Sequence, residues 1–262
     1  MCTVTVLPPA ALAGGGVDEA VLRVSSNRDE LRSRPAAHAP EVHSIDGHRV
    51  IMPIDPAGGG TWIAASDRGL VYTLLNANPR PAAGKARETS TAGDGRSRGL
   101  IIPALASAAC VSEALERALS LDVSLFNPFR LLLIDRYQLI ECWPDAAGLR
   151  HRRTILHGPL MRTSSSLGDA VVQAPRRTLF RRFFGSTAAP RAAQDAFHDH
   201  QWPARKAVSV RMERADARTV SRTTIELGSE LAHVSYQAEG DGAAIRLSMK
   251  ITHRPGQSER CS

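Results

Sequence analysis

Ala20-Val21-Leu22-Arg23-Val24-Ser25-Ser26-Asn27-Arg28-Asp29-Glu30 is the stretch on which the reading of the chain turns. Its first six residues read as a strand that ends where the chain becomes polar, from Ser26, and then reaches Pro35. Before it, Cys2-Thr3-Val4-Thr5-Val6-Leu7 alternates threonine and valine with the period of two that suits a half-buried strand. Pro8, Pro9 and the run Gly14–Gly16 turn the chain between them, so the two strands pair as neighbours.

Residues 34–56, with several prolines and three histidines, read as an irregular surface loop. Gly58-Gly59-Gly60 then precedes a hairpin, Thr61–Ala65 and Leu70–Leu75, turned at Asp67-Arg68-Gly69 and closed by Asn76. The Pro/Gly/Arg-rich residues 77–98 read as a loop or lid. Val111, Leu115 and Leu119 recur at helical spacing within Ser107–Ser120, and Phe129–Ile134 with Gln138–Trp143 makes a second hairpin. Ala170–Phe184 has helical character interrupted at Pro175. Strand patterns close the chain at Val208–Met212, Thr219–Leu227, Leu231–Gln237 and Ala243–Ile251. Hairpin-joined strands make antiparallel sheets, and helices grouped between strand runs fit an α+β layered fold, with which an αββα sandwich is compatible. No repeat or compositional break divides the chain, so residues 1–254 are expected to form one domain and 255–262 a polar tail.

The 262 residues carry 33 Lys and Arg against 26 Asp and Glu, a formal net charge of +7. The excess gathers between Arg150 and Arg182, where Asp169 is the only carboxylate. Such a stripe is either a solvated face or a surface for phosphates or other anions. No zinc-finger spacing, RNP-like aromatic pattern or helix-turn-helix accompanies it, so nucleic acid is not an expected partner. No apolar run approaches the roughly 20 residues of a membrane span, and no signal peptide is evident, so a cytoplasmic location is expected. Cysteines 2, 110, 142 and 261 form no CxxC pair and read as free thiols, Cys110 and Cys142 as core residues. His198-Asp199-His200 offers ligand-type side chains without an evident third ligand, and reads as a solvated loop rather than a metal site. Arg176-Arg177 and Arg181-Arg182, interleaved with Phe180, Phe183 and Phe184, read as a helix that buries its phenylalanines, or as a docking segment for a membrane or an acyl–phosphate ligand.

Loss of Met1 would make Cys2 the first residue and give it a thiol and a free α-amine together. That amine titrates near 7.7–8.0 in model compounds, so it can act as a base beside its own nucleophile. The Met1-Cys2 start, Asn27-Arg28-Asp29-Glu30, Gly59-Gly60-Thr61-Trp62, Leu74-Leu75-Asn76 and Ser97-Arg98-Gly99, in this order, resemble the NRDE family, which includes the Transport and Golgi organisation protein 2 relatives. The likeness is strong over the first hundred residues. It is looser at Asn127–Leu133 and Ser209–Glu226, and Ser164-Ser165-Ser166 stands where relatives carry Ser-Asn.

That family in turn resembles cysteine N-terminal nucleophile hydrolases, with a four-layer αββα sandwich of two mainly antiparallel sheets. The resemblance implies Cys2 as nucleophile, Arg28 beside the thiolate, Asp29 orienting the α-amine or the substrate, and Asn76 donating to the oxyanion. Asn27, Trp62 and Ser165 are the candidate substrate-binding residues. Read without the resemblance, Arg28 and Asp29 could pair with each other, and Asn76 could simply close a strand. The activity implied is hydrolysis of an amide or related acyl bond in a small molecule, with neither cofactor nor metal. The competing expectation is a non-catalytic protein that binds or traffics a lipid-like, acyl-CoA or haem ligand. A redox role for Cys2 lacks a resolving partner in the sequence.

Overall fold

A computed structural model describes residues 2–12, 21–78, 95–185, 187–240 and 242–252. The expected polar tail, residues 255–262, and most of the expected lid lie outside the described residues. The strands are β1 (Cys2–Leu7), β2 (Leu22–Leu31), β3 (His38–Ile45), β4 (His48–Ile54), β5 (Ile63–Ser66), β6 (Val71–Asn76), β7 (Phe129–Ile134), β8 (Gln138–Asp145), β9 (Gly148–Ile155), β10 (Leu160–Ser164), β11 (Ala217–Leu227), β12 (Leu231–Ala238) and β13 (Ile245–Lys250). The helices are α1 (Pro9–Leu12), α2 (Ile101–Leu105), α3 (Val111–Leu119), α4 (Asp169–Phe184) and α5 (Pro190–Asp199).

One sheet has the order β10-β1-β2-β11-β12-β13 and the other β3-β4-β5-β6-β7-β8-β9, with antiparallel pairing throughout. Alternation along each strand sends one set of side chains between the sheets and the other outward. Val4, Val6, Leu22 and Val24 of the first sheet meet Ile63, Val71, Leu75 and Leu132 of the second in the central core. Tyr72, Leu74 and Leu131 face outward and are covered by Ile101, Leu105, Ala114 and Leu115 of α2 and α3. On the far side, Leu179 of α4 and Phe197 of α5 pack together with Phe180, Phe183 and Phe184 around them. The result is an α+β sandwich of helix, sheet, sheet and helix layers. Full burial of one such ring contributes about 1.5–3 kcal/mol.

Several sequence expectations are corrected. The second strand does not stop at Ser25 but runs through Asn27–Glu30 to Leu31 as β2, and residues expected to loop between 34 and 56 form the β3–β4 hairpin. Pro40 is tolerated because β3 is the edge of its sheet, and Pro53 because β4 pairs with β5 only at Val50 and Ile51. Helix α4 runs through Pro175, whose forgone bond would reach Val171, a residue 50% exposed where water can take the carbonyl. Val208–Met212 is not a strand; a 3-10 turn over Pro203–Val208 precedes it. His198 sits in the last turn of α5 rather than in a solvated loop, and Cys110 is disulfide-bonded rather than free.

Candidate active site

Cys2 opens β1 on the face that carries Val4 and Val6, so its thiol enters the space between the sheets, 6% exposed. In register it lies between Arg28 of β2 and Ser164 of β10. Its amide nitrogen donates to Ser164 Oγ at 3.3 Å, and Thr163 Oγ1 donates to its carbonyl at 3.4 Å. The backbone amide of Asp29 reaches the thiol. Burial pushes the thiol pKa up and the Asp29 charge adds to that, while Arg28 pulls it down.

Arg28, on the same inward face, stacks over the Trp62 ring at 4.3 Å, an attractive arrangement for a desolvated guanidinium. It also meets Glu30 at 3.2 Å and Asp55 at 3.3 Å, and Asp55 is shared with Arg34 at 2.6 Å. Trp62 is delivered here by a tight backbone crossing. A Cβ on Gly60 would lie 2.2 Å from the Gly99 carbonyl carbon, and Thr61 donates its amide to Gly99 O at 3.0 Å. That crossing explains why glycine stands at both places. It also brings Arg98 close enough for the Cys2 charge to act on it: burial lowers the Arg98 pKa, and Cys2 and Glu30 oppose that.

Asp29 points the other way, toward the helices. A register shift between Thr219 and Ser221 bulges β11 and aims Thr219, whose hydroxyl donates to Asp29 Oδ1 at 2.6 Å. Burial pushes the Asp29 carboxyl pKa up, and Arg176 is the first charge that pulls it back. Arg176 reaches under β1 from α4 and is 1% exposed. It donates to Thr3 Oγ1 at 2.8 Å, Thr163 Oγ1 at 2.6 Å, Val208 O at 3.1 Å and Ser209 O at 2.5 Å. Those two threonines follow Cys2 and precede Ser164, so one guanidinium ties both strands that flank the thiol.

The remaining expected residues are placed differently. Asn27 faces α5: its Nδ2 donates to His198 O at 2.8 Å and Val210 O at 3.2 Å, and Oδ1 meets His198 Nδ1 at 3.0 Å. It therefore fastens a helix to the sheet and does not open into the space around Cys2. Ser165 Oγ accepts from the Leu167 amide at 3.2 Å in the turn that enters α4, and it is Ser164 that bonds Cys2. Asn76 ends β6 opposite Phe129 in the second sheet. Alternation puts its side chain with Tyr72 and Leu74 on the helix-covered face. Leu74 donates its amide to Trp62 O at 2.8 Å, so the amide of Asn76, two residues on, turns toward that same edge.

Arg176, Arg98, Thr219 and Ser164 were not singled out from the sequence as site residues. For Arg176 a cue existed, since Val172, Arg176 and Leu179 share one buried helical stripe. Thr219 depends on a bulge, which no local pattern announces.

A helix–sheet–sheet–helix sandwich of two antiparallel sheets is the architecture of the N-terminal nucleophile hydrolase fold. Residues 17–153 match the family Transport and Golgi organisation 2, and the chain belongs to it. A comparison with curated proteins returns no match. Among solved structures the chain is similar to the Caenorhabditis elegans N-acylethanolamine-hydrolyzing acid amidase (NAAA) ortholog, at 12% identity, with 86% of this chain and 92% of that one covered and a TM-score of 0.55. It is also similar to an arginine-to-leucine variant of conjugated bile acid hydrolase from Clostridium perfringens, at 11% identity, with 97% of each chain covered and a TM-score of 0.51. At these identities the likeness is one of fold. No helix among the described residues is long and apolar enough to cross a membrane.

Proposed function

We propose that the chain is a cysteine N-terminal nucleophile hydrolase acting on an amide or related acyl bond of a small molecule. The observation that supports this most is the position of Cys2. Its thiol enters the inter-sheet space at the start of β1, with Arg28 on the same face and the Asp29 amide on its sulfur. Removal of Met1 leaves the α-amine of Cys2 as the base. The thiol sulfur bonds to the acyl carbon, the amine takes the thiol proton, and the carbonyl oxygen becomes an oxyanion. That proton passes to the departing amine as the carbon–nitrogen bond breaks, leaving a thioester on Cys2, which water then hydrolyses to the acid. Arg28 holds positive charge beside the developing thiolate, and Asp29, held by the Thr219 hydroxyl, orients the α-amine. Asn76 contributes from the edge of β6, through its backbone amide given the direction of its side chain. A well-aligned donor there is worth about 3–4 kcal/mol.

The two similar structures named above are, by their names, an N-acylethanolamine-hydrolyzing acid amidase and a conjugated bile acid hydrolase. The test is therefore intact mass, followed by turnover of a panel of N-acyl amides by the chain and by Cys2→Ala. Expected are a mass lacking one methionine, release of free acid, and a covalent acyl adduct on Cys2. A retained Met1, or equal turnover by Cys2→Ala, refutes the nucleophile role. The second reading, a binding protein for a lipid-like, acyl-CoA or haem ligand, is favoured by the burial that raises the Cys2 thiol pKa. A ligand that co-purifies equally with Cys2→Ala, in the absence of turnover, would establish it.

A further inference from the structure

The first sheet ends at β10, while the second continues past it through β8 and β9. The inward faces of those strands are met instead by the flank of β10 and α4, which leaves a trough of about 450 Å³. Glu141 lies at its base, 5% exposed, and takes three guanidiniums at once: Arg130 at 3.1 Å, Arg152 at 3.0 Å and Arg162 at 2.9 Å. Arg177 and Arg181, one turn apart on α4, line the same trough, and neither forms an ion pair among the described residues. Against these five arginines stand Glu141 and, 3.9 Å from Arg130, Asp169, which leaves three positive charges uncompensated around the trough.

Crowding of this kind is unfavourable. Like charges held together where water is partly excluded repel more strongly than in bulk solvent. The arrangement is relieved when a multiply charged anion sits among the guanidiniums. All five cations are arginine, whose planar fork meets tetrahedral oxyanions with paired hydrogen bonds, whereas a lysine offers a point charge. Leu160, Met161 and Phe180 give the trough an apolar wall. It continues past Arg130 and Arg152 into a second lobe of about 600 Å³ walled by Trp143, Pro144 and Phe129. The combined space is that of a small-molecule site.

We infer that this trough is a binding site for a soluble ligand that carries two or more phosphoryl groups on an apolar or aromatic body, separate from the Cys2 centre. Arg130, Arg152 and Arg162 form its anchored floor, and Arg177 with Arg181 close on the ligand from α4. The site does not depend on the nucleophile, so Cys2→Ala is expected to bind as the parent does.

The experiment is calorimetric titration of the full chain with inorganic pyrophosphate, with sulfate as the control anion, at low and at physiological salt. Expected is saturable one-site binding of pyrophosphate that persists at physiological salt and exceeds that of sulfate at least tenfold. The double variant Arg177→Gln/Arg181→Gln should weaken it at least tenfold with an unchanged melting temperature, since both side chains are exposed. Equal affinity for sulfate and pyrophosphate, or pyrophosphate affinity untouched in the double variant, overturns the proposal. So does co-sedimentation with phosphatidic-acid vesicles in the absence of pyrophosphate binding, because it would assign the arginines to a lipid surface.

Discussion

Replacing Arg176 with methionine is the sharpest test of how the candidate centre is held together. The substitution keeps much of the side-chain volume but removes a guanidinium that is 1% exposed and makes four hydrogen bonds. The two threonine partners can recover part of the loss, because Thr3 Oγ1 and Thr163 Oγ1 already lie 3.1 Å apart. The Val208 and Ser209 carbonyls lose a buried donor, at about 1–3 kcal/mol each. Asp29 also loses the positive charge that most opposes the effect of its burial. The contributions overlap, so the expected loss is about 4 kcal/mol, a large share of the stability of a domain this size. Urea unfolding of Arg176→Met and Arg176→Lys measures it, and the lysine variant, which keeps the charge, should recover a part. Alkylation of Cys2 by iodoacetamide across pH supplies the second readout. With Arg176 gone, the strands on either side of the thiol loosen, and native-state alkylation should speed up. A loss below about 1 kcal/mol in Arg176→Met with an unchanged alkylation profile would refute the account.

Other perturbations follow from the same geometry. His198 is buried between Thr5 Oγ1 at 2.7 Å and Asn27 Oδ1, and burial holds its pKa well below 6.5. The native state therefore binds fewer protons there than the unfolded chain. Stability is full above the unfolded pKa and falls as pH drops below about 6.5, by up to about 1.4 kcal/mol per pH unit. Melting temperatures between pH 7 and 5 should show this fall, and His198→Gln should flatten it. Gly60→Ala should destabilise by at least about 3 kcal/mol, since its Cβ meets Gly99 backbone at 2.2 Å. Gly59→Ala, with φ +65° but nothing within 4 Å, should cost only about 1–2 kcal/mol in denaturant titrations. Of the two thiols described as free, Cys2 should alkylate faster with rising pH through and above 9. Cys142, buried and pushed up to about 12, should stay unmodified in the native protein, as peptide mapping can check.

How far the sequence leads is decided by what buries each residue. The hairpin of β5 and β6, the β7–β8 hairpin and β11 to β13 were legible because apolar residues recur there with the period of a strand. The strand reads as ending at Ser25 because polar residues ordinarily mark the surface, yet Ser25 to Asp29 are all buried. Four of the five have a specific partner: Thr224 for Ser25, His198 and Val210 for Asn27, the Trp62 ring for Arg28, and Thr219 for Asp29. Hydrogen-bond partners 170 to 200 residues away leave no mark in a local window. The motif residues were found through resemblance rather than through periodicity, and the resemblance carries no information about direction.

Direction is what separates the roles. Asn27, Arg28 and Asp29 are consecutive, but a strand turns alternate side chains to opposite faces. Arg28 shares the inter-sheet face with the Cys2 thiol, while Asn27 and Asp29 face the helices, one to fasten α5 and the other toward Arg176 and Thr219. A four-letter motif that looks like one cluster in the sequence thus divides between the two faces of a sheet. The cation stands beside the sulfur on one face, and the carboxylate sits with its own buried cation beneath β1. The same division accounts for Arg176, which looks in the sequence like its exposed neighbours Arg177 and Arg181. One position along the helix turns a guanidinium from the anion trough toward the carboxylate of the candidate centre, so the two clusters of positive charge can be changed independently of each other.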